Sequence, residues 1–337
     1  MNPPGRLVIR VPNWLGDAVM ALPALAAVRT AMPDTHITIA AISAIAPVFS
    51  EDTPAAPDSV VTIADRRSEP RALSGGAFDA ALLLTNSFRS AWTMRRAGIA
   101  QRWGYSANFR GFLLTRRLAR PRKRVHQSEY YSLLVAGLGV EVRPSLPCIS
   151  VRADTMRRAD EILAKHAIGP STRLVGFAPG AAYGHAKRWP PVRVAELVRR
   201  VGSELGAVSV LIGASGDRET GREIESSVPS GTPVVNLIGR TDLRQLAGVL
   251  ARCSAFVSND SGAMHLAAAV GVPVTAIFGP TDERVTAPLG DHDVILQKVF
   301  CRPCMLRDCP IDHRCMKRIS SDQVFESVSA RFSAAAR

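Results

Sequence analysis

The second half of the chain repeats one pattern. Short, almost wholly apolar segments at residues 174–178, 208–212, 234–237, 255–258 and 274–278 alternate with helix-forming stretches at 191–205, 218–227, 243–251 and 263–270. A strand apolar at every position, rather than at alternate ones, needs cover on both faces. A helix between successive strands supplies that cover and lets the strands run parallel. Such crossovers are right-handed, so the alternation predicts an α/β fold with a doubly wound sheet. The first half follows the same theme less regularly. Residues 7–11, 37–41, 60–63 and 80–84 read as strands, and a helix is expected from about residue 17 to 32. Residues 85–123 alternate short apolar runs with Arg and read as a mix of helices and mobile loops. A Pro-rich, extended stretch at 141–151 reads as a linker, followed by a charged amphipathic helix at 153–166. The 337 residues can bury two cores, so two domains are expected, 1–150 and 151–337.

The most informative stretch is NDSGAMHLAAAVGVPVTAIFGPTD, residues 259–282. It sits inside one β-α-β unit. Asp260, Ser261 and Gly262 form the turn, a helix of good helix formers follows, and Gly271 and Pro273 end it. The helix therefore starts at the carboxyl end of a parallel strand, with unpaired N–H groups in its first turn, which suits a diphosphate. Gly262 allows close approach of a ligand, and Ser261 and His265 can add hydrogen bonds. An ordinary capped helix would carry the same Asp and Ser.

The formal charge is +13, and it is concentrated: residues 88–127 hold eleven Lys or Arg and no Asp or Glu. Arg120, Arg122, Lys123 and Arg124 form its densest part. Such a field attracts a polyanion, either nucleic acid or an anionic membrane surface. No zinc finger, RNP-like motif or other nucleic-acid reader accompanies it. No apolar run reaches the roughly 18 residues that span a bilayer, and the first ten residues lead directly into a strand. A cytoplasmic protein without a signal peptide is therefore expected. Of six cysteines, Cys148 and Cys253 lie in apolar contexts, whereas Cys301, Cys304, Cys309 and Cys315 form C-x2-C-x4-C-x5-C with His313 nearby. That spacing suggests zinc more than disulfides, but lacks the paired knuckles of common zinc ribbons.

Three segments in order, RVPNWLGDAVMALP (10–23), PGAAYGHAKRWP (179–190) and the 259–282 string, resemble the ADP-heptose:lipopolysaccharide heptosyltransferases, glycosyltransferase family 9. The first two and the Cys-rich tail look most like its heptosyltransferase II branch. The resemblance covers nearly the whole chain. It implies two Rossmann-like domains facing a cleft (GT-B type): an N-terminal acceptor-binding domain and a C-terminal ADP-heptose-binding domain with the Cys-rich tail, whose last helix could return to the first domain. It implies inverting transfer of L-glycero-D-manno-heptose from ADP-heptose to the first heptose of the lipopolysaccharide inner core. The acceptor would be an anionic glycolipid met at the cytoplasmic face of the inner membrane, with peripheral membrane contact and no nucleic acid. No cofactor and no metal are implied, and the cysteine tail would lie outside the chemistry.

The same resemblance implies roles for particular residues. Asp17, in the turn after the first strand, becomes the candidate base, although a helix N-terminus also favours an Asp there. Lys187 becomes the candidate diphosphate contact, with Arg188 beside it. Arg240 and Thr241 could reach the nucleotide. Asp242 or Glu219 could hold the ribose, and Thr281 and Asp282 face the cleft or simply form a turn after Gly279 and Pro280. Heptosyltransferase I or III activity, or a non-catalytic basic nucleotide- or nucleic-acid-binding protein, are the competing readings.

Overall fold

The structure, a computed structural model, describes residues 3–65 and 67–334. Its contacts divide the chain into two compact units, Met1–Ser150 and Val151–Arg337. The first unit runs β1 (Arg6–Arg10), α1 (Leu15–Met20), α2 (Leu22–Ala31), β2 (His36–Ile42), β3 (Ser59–Ile63), α3 (Glu69–Ser74), β4 (Ala80–Leu83), α4 (Phe88–Arg96), β5 (Gln101–Tyr105), β6 (Arg116–Leu118) and α5 (Gln127–Gly137). The second runs α6 (Ala153–Ala164), β7 (Leu174–Ala178), α7 (Pro191–Leu205), β8 (Val208–Leu211), α8 (Arg218–Ser227), β9 (Val234–Asn236), α9 (Leu243–Ala251), β10 (Cys253–Asn259), α10 (Gly262–Ala269), β11 (Val274–Phe278), the short α11 (Glu283–Thr286), β12 (His292–Leu296), the short α12 (Arg314–Lys317) and α13 (Ser321–Ala334).

Each unit has a six-stranded sheet, in the order β3-β2-β1-β4-β5-β6 and β12-β11-β10-β7-β8-β9. Every strand pairing is parallel. Numbered from its own first strand, the second sheet has the same order as the first. In this topology the chain leaves the sheet centre in opposite directions, and the crevice outside the carboxyl ends of the two central strands is where ligands bind. Those strands are β1 and β4 in the first unit, β7 and β10 in the second. The predicted α/β, doubly wound architecture is therefore present twice. Central strands are buried on both faces, as their composition requires: all five residues of β7 and of β11 are buried. The second core joins Val175, Phe177, Val257 and Ile277 of the sheet to Leu197, Val198 and Val201 of α7 and Val324, Val328 and Phe332 of α13.

Two local departures from expectation have physical causes. The helix expected from residue 17 starts earlier and is split at Ala21, which ends α1 and begins α2. Pro23 in the first turn of α2 has no N–H to continue the ladder. The segment 85–123 contains two further strands, β5 and β6. Both lack an apolar run because Arg102, Arg116 and Arg117 occupy strand positions; Arg102 turns its guanidinium back onto the Ile99, Ala100 and Leu113 carbonyls at 2.6–2.9 Å. The last helix, α13, packs on α7, β10, β11 and β12.

Candidate active site

In the first unit, the turn after β1 carries Asp17. A buried network fixes that turn. Arg10, at the end of β1, donates from Nε to Glu69 at 2.6 Å, from Nη1 to the Val11 carbonyl at 2.6 Å and from Nη2 to Asn13 Oδ1 at 3.0 Å. Arg10 and Glu69 are both buried, so each charge depends on the other. Asp17 lies in the first turn of α1 and is half-buried. Its carboxylate accepts a hydrogen bond from the Tyr131 hydroxyl of α5 at 3.1 Å. Burial, and then the Asp17 charge, hold the Tyr131 hydroxyl well above its usual range. Tyr131 is thus a neutral, permanent donor that orients the carboxylate. Neither Glu69 nor Tyr131 was visible from the sequence. Each is far from Asp17 in the chain and belongs to a helix with no motif of its own.

In the second unit, the loop after β7 and the turn after β10 flank the central crevice, and they are tied together. Lys187 Nζ lies 2.6 Å from Asp260 Oδ2, with both side chains largely buried. Lys187 also stands 4.8 Å from the centre of the Tyr183 ring. Asn259 staples the same loop: its amide donates to the Pro179 carbonyl at 2.7 Å and accepts from the Trp189 backbone N–H at 3.2 Å. Arg188 donates to Asp217 at 3.0 Å. Asp217 fits only because position 180 is Gly, where a Cβ would stand 2.2 Å from its carboxylate. Asn259 and Asp217 are therefore further candidate site residues. The first was hidden inside a quoted motif. The second could have been found from the Gly180 requirement only with a structure in hand.

The donors predicted at the start of α10 are partly committed. The Ser261 hydroxyl meets the Ser258 hydroxyl at 2.9 Å and does not cap the helix. Asp260 and His265 are buried. The first N–H groups of α10, from Gly262 onward, have no partner within the helix. Arg188 Nε and Thr281 Oγ1 are buried without a hydrogen bond. Asp282 caps α11 and binds Arg284 through both oxygens at 2.8 Å. Of the two ribose candidates, Asp242 is engaged in the capping box of α9 and in an ion pair with Arg158 at 2.7 Å, whereas Glu219 is exposed on α8. Arg240 is exposed and Thr241 half-buried in the turn before α9.

The cysteine-rich segment does not stand apart from this site. Arg307 C=O accepts from the Ala186 N–H at 2.8 Å, and His313 Nε2 meets the Ala186 carbonyl at 2.6 Å. The Tyr183 hydroxyl donates to the Met305 carbonyl at 3.0 Å. A Cβ at Gly184 would lie 2.4 Å from the Arg307 carbonyl, so Gly is required for the two segments to touch. Arg302 donates to the Gly279 and Thr281 carbonyls and to Glu283. The segment thus braces residues 183–187 and 279–283, which is a structural role. Its four cysteines are free thiols. Burial raises the Cys315 thiol, and Cys301, Cys309 and Cys304 raise it further. Among the described residues, no three His, Cys, Asp or Glu side chains form a group that could hold a metal ion.

The basic segment divides into two kinds of Arg. Arg120, Arg122, Lys123 and Arg124 are exposed in an irregular stretch after β6. Arg110 is instead fully buried, donating to the carbonyls of Tyr105 at 2.9 Å and Thr85 at 2.5 Å. Burial pulls its guanidinium down to about 10, still protonated at neutral pH. Among the described residues, no helix is long and apolar enough to cross a membrane.

These features have counterparts in known proteins. Residues 66–314 match the model of glycosyltransferase family 9 (heptosyltransferase). The chain is 31% identical over 308 residues to lipopolysaccharide heptosyltransferase 2 of Salmonella typhimurium, covering 87% of this chain and 88% of that one. It is 29% identical over 320 residues to lipooligosaccharide heptosyltransferase 2 of Haemophilus influenzae, covering 87% and 88%. The solved structure of Escherichia coli ADP-heptose lipopolysaccharide heptosyltransferase II superposes with a TM-score of 0.86 at 27% identity, over 98% of this chain and 100% of that one. Doubly wound sheets, the loop after β7 tied to the start of α10, and these likenesses together lead to one conclusion: the chain belongs to glycosyltransferase family 9.

Proposed function

We propose that this enzyme transfers L-glycero-D-manno-heptose from ADP-heptose to the first heptose of the lipopolysaccharide inner core, with inversion at the anomeric carbon. The observation that carries the reading is the Lys187–Asp260 contact of 2.6 Å, which joins the loop after β7 to the start of α10 at the ligand-binding edge of the second sheet. Asp260 holds the ammonium in place while leaving protons of Nζ for a diphosphate. The N–H groups of α10 and the uncommitted Arg188 Nε and Thr281 Oγ1 supply further donors. Donors fixed before the reaction favour the charge that develops on departing ADP without reorganising. Arg240 and Thr241 belong to the nucleotide side.

In the proposed step, Asp17 takes the proton from an acceptor hydroxyl, and that oxygen attacks the anomeric carbon. The bond from the anomeric carbon to the β-phosphate oxygen breaks, and its electron pair leaves with ADP. The proton ends on Asp17. Lys187, Arg188 and the α10 dipole replace a metal as the counter-charge. In this reading the exposed Arg120, Arg122, Lys123 and Arg124 meet the negative charges of the glycolipid acceptor, the enzyme works as a peripheral protein at the cytoplasmic face of the inner membrane, and nucleic acid is not a partner. Incubation with ADP-heptose and a heptose-bearing acceptor tests this reading: ADP should appear in proportion to heptosylated product. ADP release that does not depend on acceptor, or no ADP at all, would reject it.

A further inference from the structure

The first unit displays aromatic side chains where water should disfavour them. On α4, Phe88 and Trp92 stand one turn apart on the outward face, 41% and 44% exposed, with ring centroids 6.5 Å apart. Phe112, on the short turn after β5, is 67% exposed and its ring lies 6.0 Å from Phe88. Phe109 is 94% exposed. Phe88, Trp92 and Phe112 form a contiguous cluster, with Phe109 three residues before Phe112 in the chain, and such a patch on a protein surface marks a binding face.

The cluster is held out, not left loose. Asn108 and Phe109 both adopt left-handed backbone conformations, φ 48° and 58°, which side chains other than glycine rarely take. Arg110 anchors the same turn from beneath, through the Tyr105 and Thr85 carbonyls and the Ser90 hydroxyl at 3.2 Å. A buried guanidinium spent on carbonyls is a costly way to fix a loop. Here it keeps Phe109 and Phe112 projecting outward on either side of it.

The chemistry around the cluster selects its partner. The outward face of α4 reads Phe88, Arg89, Trp92, Arg95 and Arg96, and no acidic residue occurs anywhere in residues 88–127. Aromatic rings interleaved with Arg suit the headgroup level of a bilayer, where rings sit among acyl carbonyls and cations meet lipid phosphates. A second copy of the chain would bring the same Arg residues against one another in a two-fold contact.

We propose that Phe88, Trp92, Phe109 and Phe112 insert into the interface of an anionic lipid bilayer, with the flanking arginines bound to its phosphates. This deepens the membrane-association reading above and does not depend on which sugar is transferred. The basic residues would supply a salt-sensitive approach, and the rings a salt-resistant hold.

The test uses the full-length protein and vesicles of phosphatidylethanolamine with phosphatidylglycerol. Trp92 emission should be quenched by lipids brominated near the headgroup end of the chain, and Trp92→Phe should remove most of that quenching. The triple variant Phe88→Ser, Trp92→Ser, Phe112→Ser should lose about tenfold or more in vesicle partitioning at high salt. Its turnover on a water-soluble acceptor fragment should match wild type, so a failure of the heptosyl-transfer reading would leave the vesicle result standing. Equal partitioning of the triple variant, or no quenching of Trp92, would overturn the proposal. Loss of soluble-acceptor turnover with vesicle binding intact would also overturn it, by assigning the rings to sugar stacking.

Discussion

Three cations around the proposed chemistry are each tethered by a carboxylate: Lys187 by Asp260, Arg188 by Asp217 and Arg10 by Glu69. Removing a tether should therefore do different things at different depths. Glu69→Ala leaves the buried Arg10 cation alone and should destabilise the first unit by about 3–5 kcal/mol, read as a lower denaturant midpoint. An unchanged midpoint would mean that water replaces the carboxylate. Asp17→Asn keeps the Tyr131 contact sterically possible and removes only the base. Turnover should fall about 10²–10⁴-fold while ADP-heptose binding persists. Transfer within about tenfold of wild type would remove Asp17 from the base role. Tyr131 and Tyr105 are both raised above the ordinary tyrosine value of 10.0, chiefly by burial. A raised pKa in the fold means that the neutral form is the stabilised one. Their contribution is complete below pH 10.0 and is lost as pH rises above it. Denaturant midpoints measured across pH, with tyrosine ionisation followed in parallel, should show this tyrosine contribution being lost only on that alkaline side.

At the scale of elements, the proposed donor loop, residues 179–190, is a short segment clamped from two directions. Asn259 holds its ends to β10, and the 302–313 segment holds its middle through His313 and Arg307. His313→Ala should let Lys187 drift. A misplacement of about 1 Å costs up to roughly 100-fold in turnover, so kcat with ADP-heptose should fall while the global unfolding midpoint stays put. His313→Gln, which can still donate to the Ala186 carbonyl, should recover part of the loss. If His313→Ala matched wild type in both kcat and KM, the segment would only cover the core. How far these elements could be read from sequence follows from their physics. β7, α7, α8, α9 and β11 were legible to the residue because helix and strand periods alternate cleanly there and Pro191, Gly206 and Gly271 punctuate them. β6 was not, because a three-residue edge strand reading Arg116, Arg117, Leu118 has no apolar pattern to detect. The site was legible where a single turn carries it, as at Asp260 and Asp17. It was illegible where a partner arrives from a distant helix, as with Tyr131 and Glu69.

Across the described residues, one topology appears twice, and in each copy the candidate residues follow central strands. Asp17 follows β1 in the first unit; Lys187 follows β7 and Asp260 follows β10 in the second. The division of labour proposed from this is an acceptor-activating unit and a donor-holding unit, each incompetent alone. Lys187→Ala should accordingly weaken ADP-heptose binding and lower turnover, the second effect larger, because the cation matters most when the diphosphate carries its full leaving charge. Identical kinetics would exclude Lys187 from the donor side. The most direct measurement is heptose transfer to a matched pair of acceptors, one inner-core glycolipid bearing a single heptose and one bearing none. The predicted result is ADP release and a mass gain of one heptose on the first acceptor and neither on the second. Transfer to the heptose-free acceptor, or consumption of ADP-heptose without a heptosylated product, would contradict it.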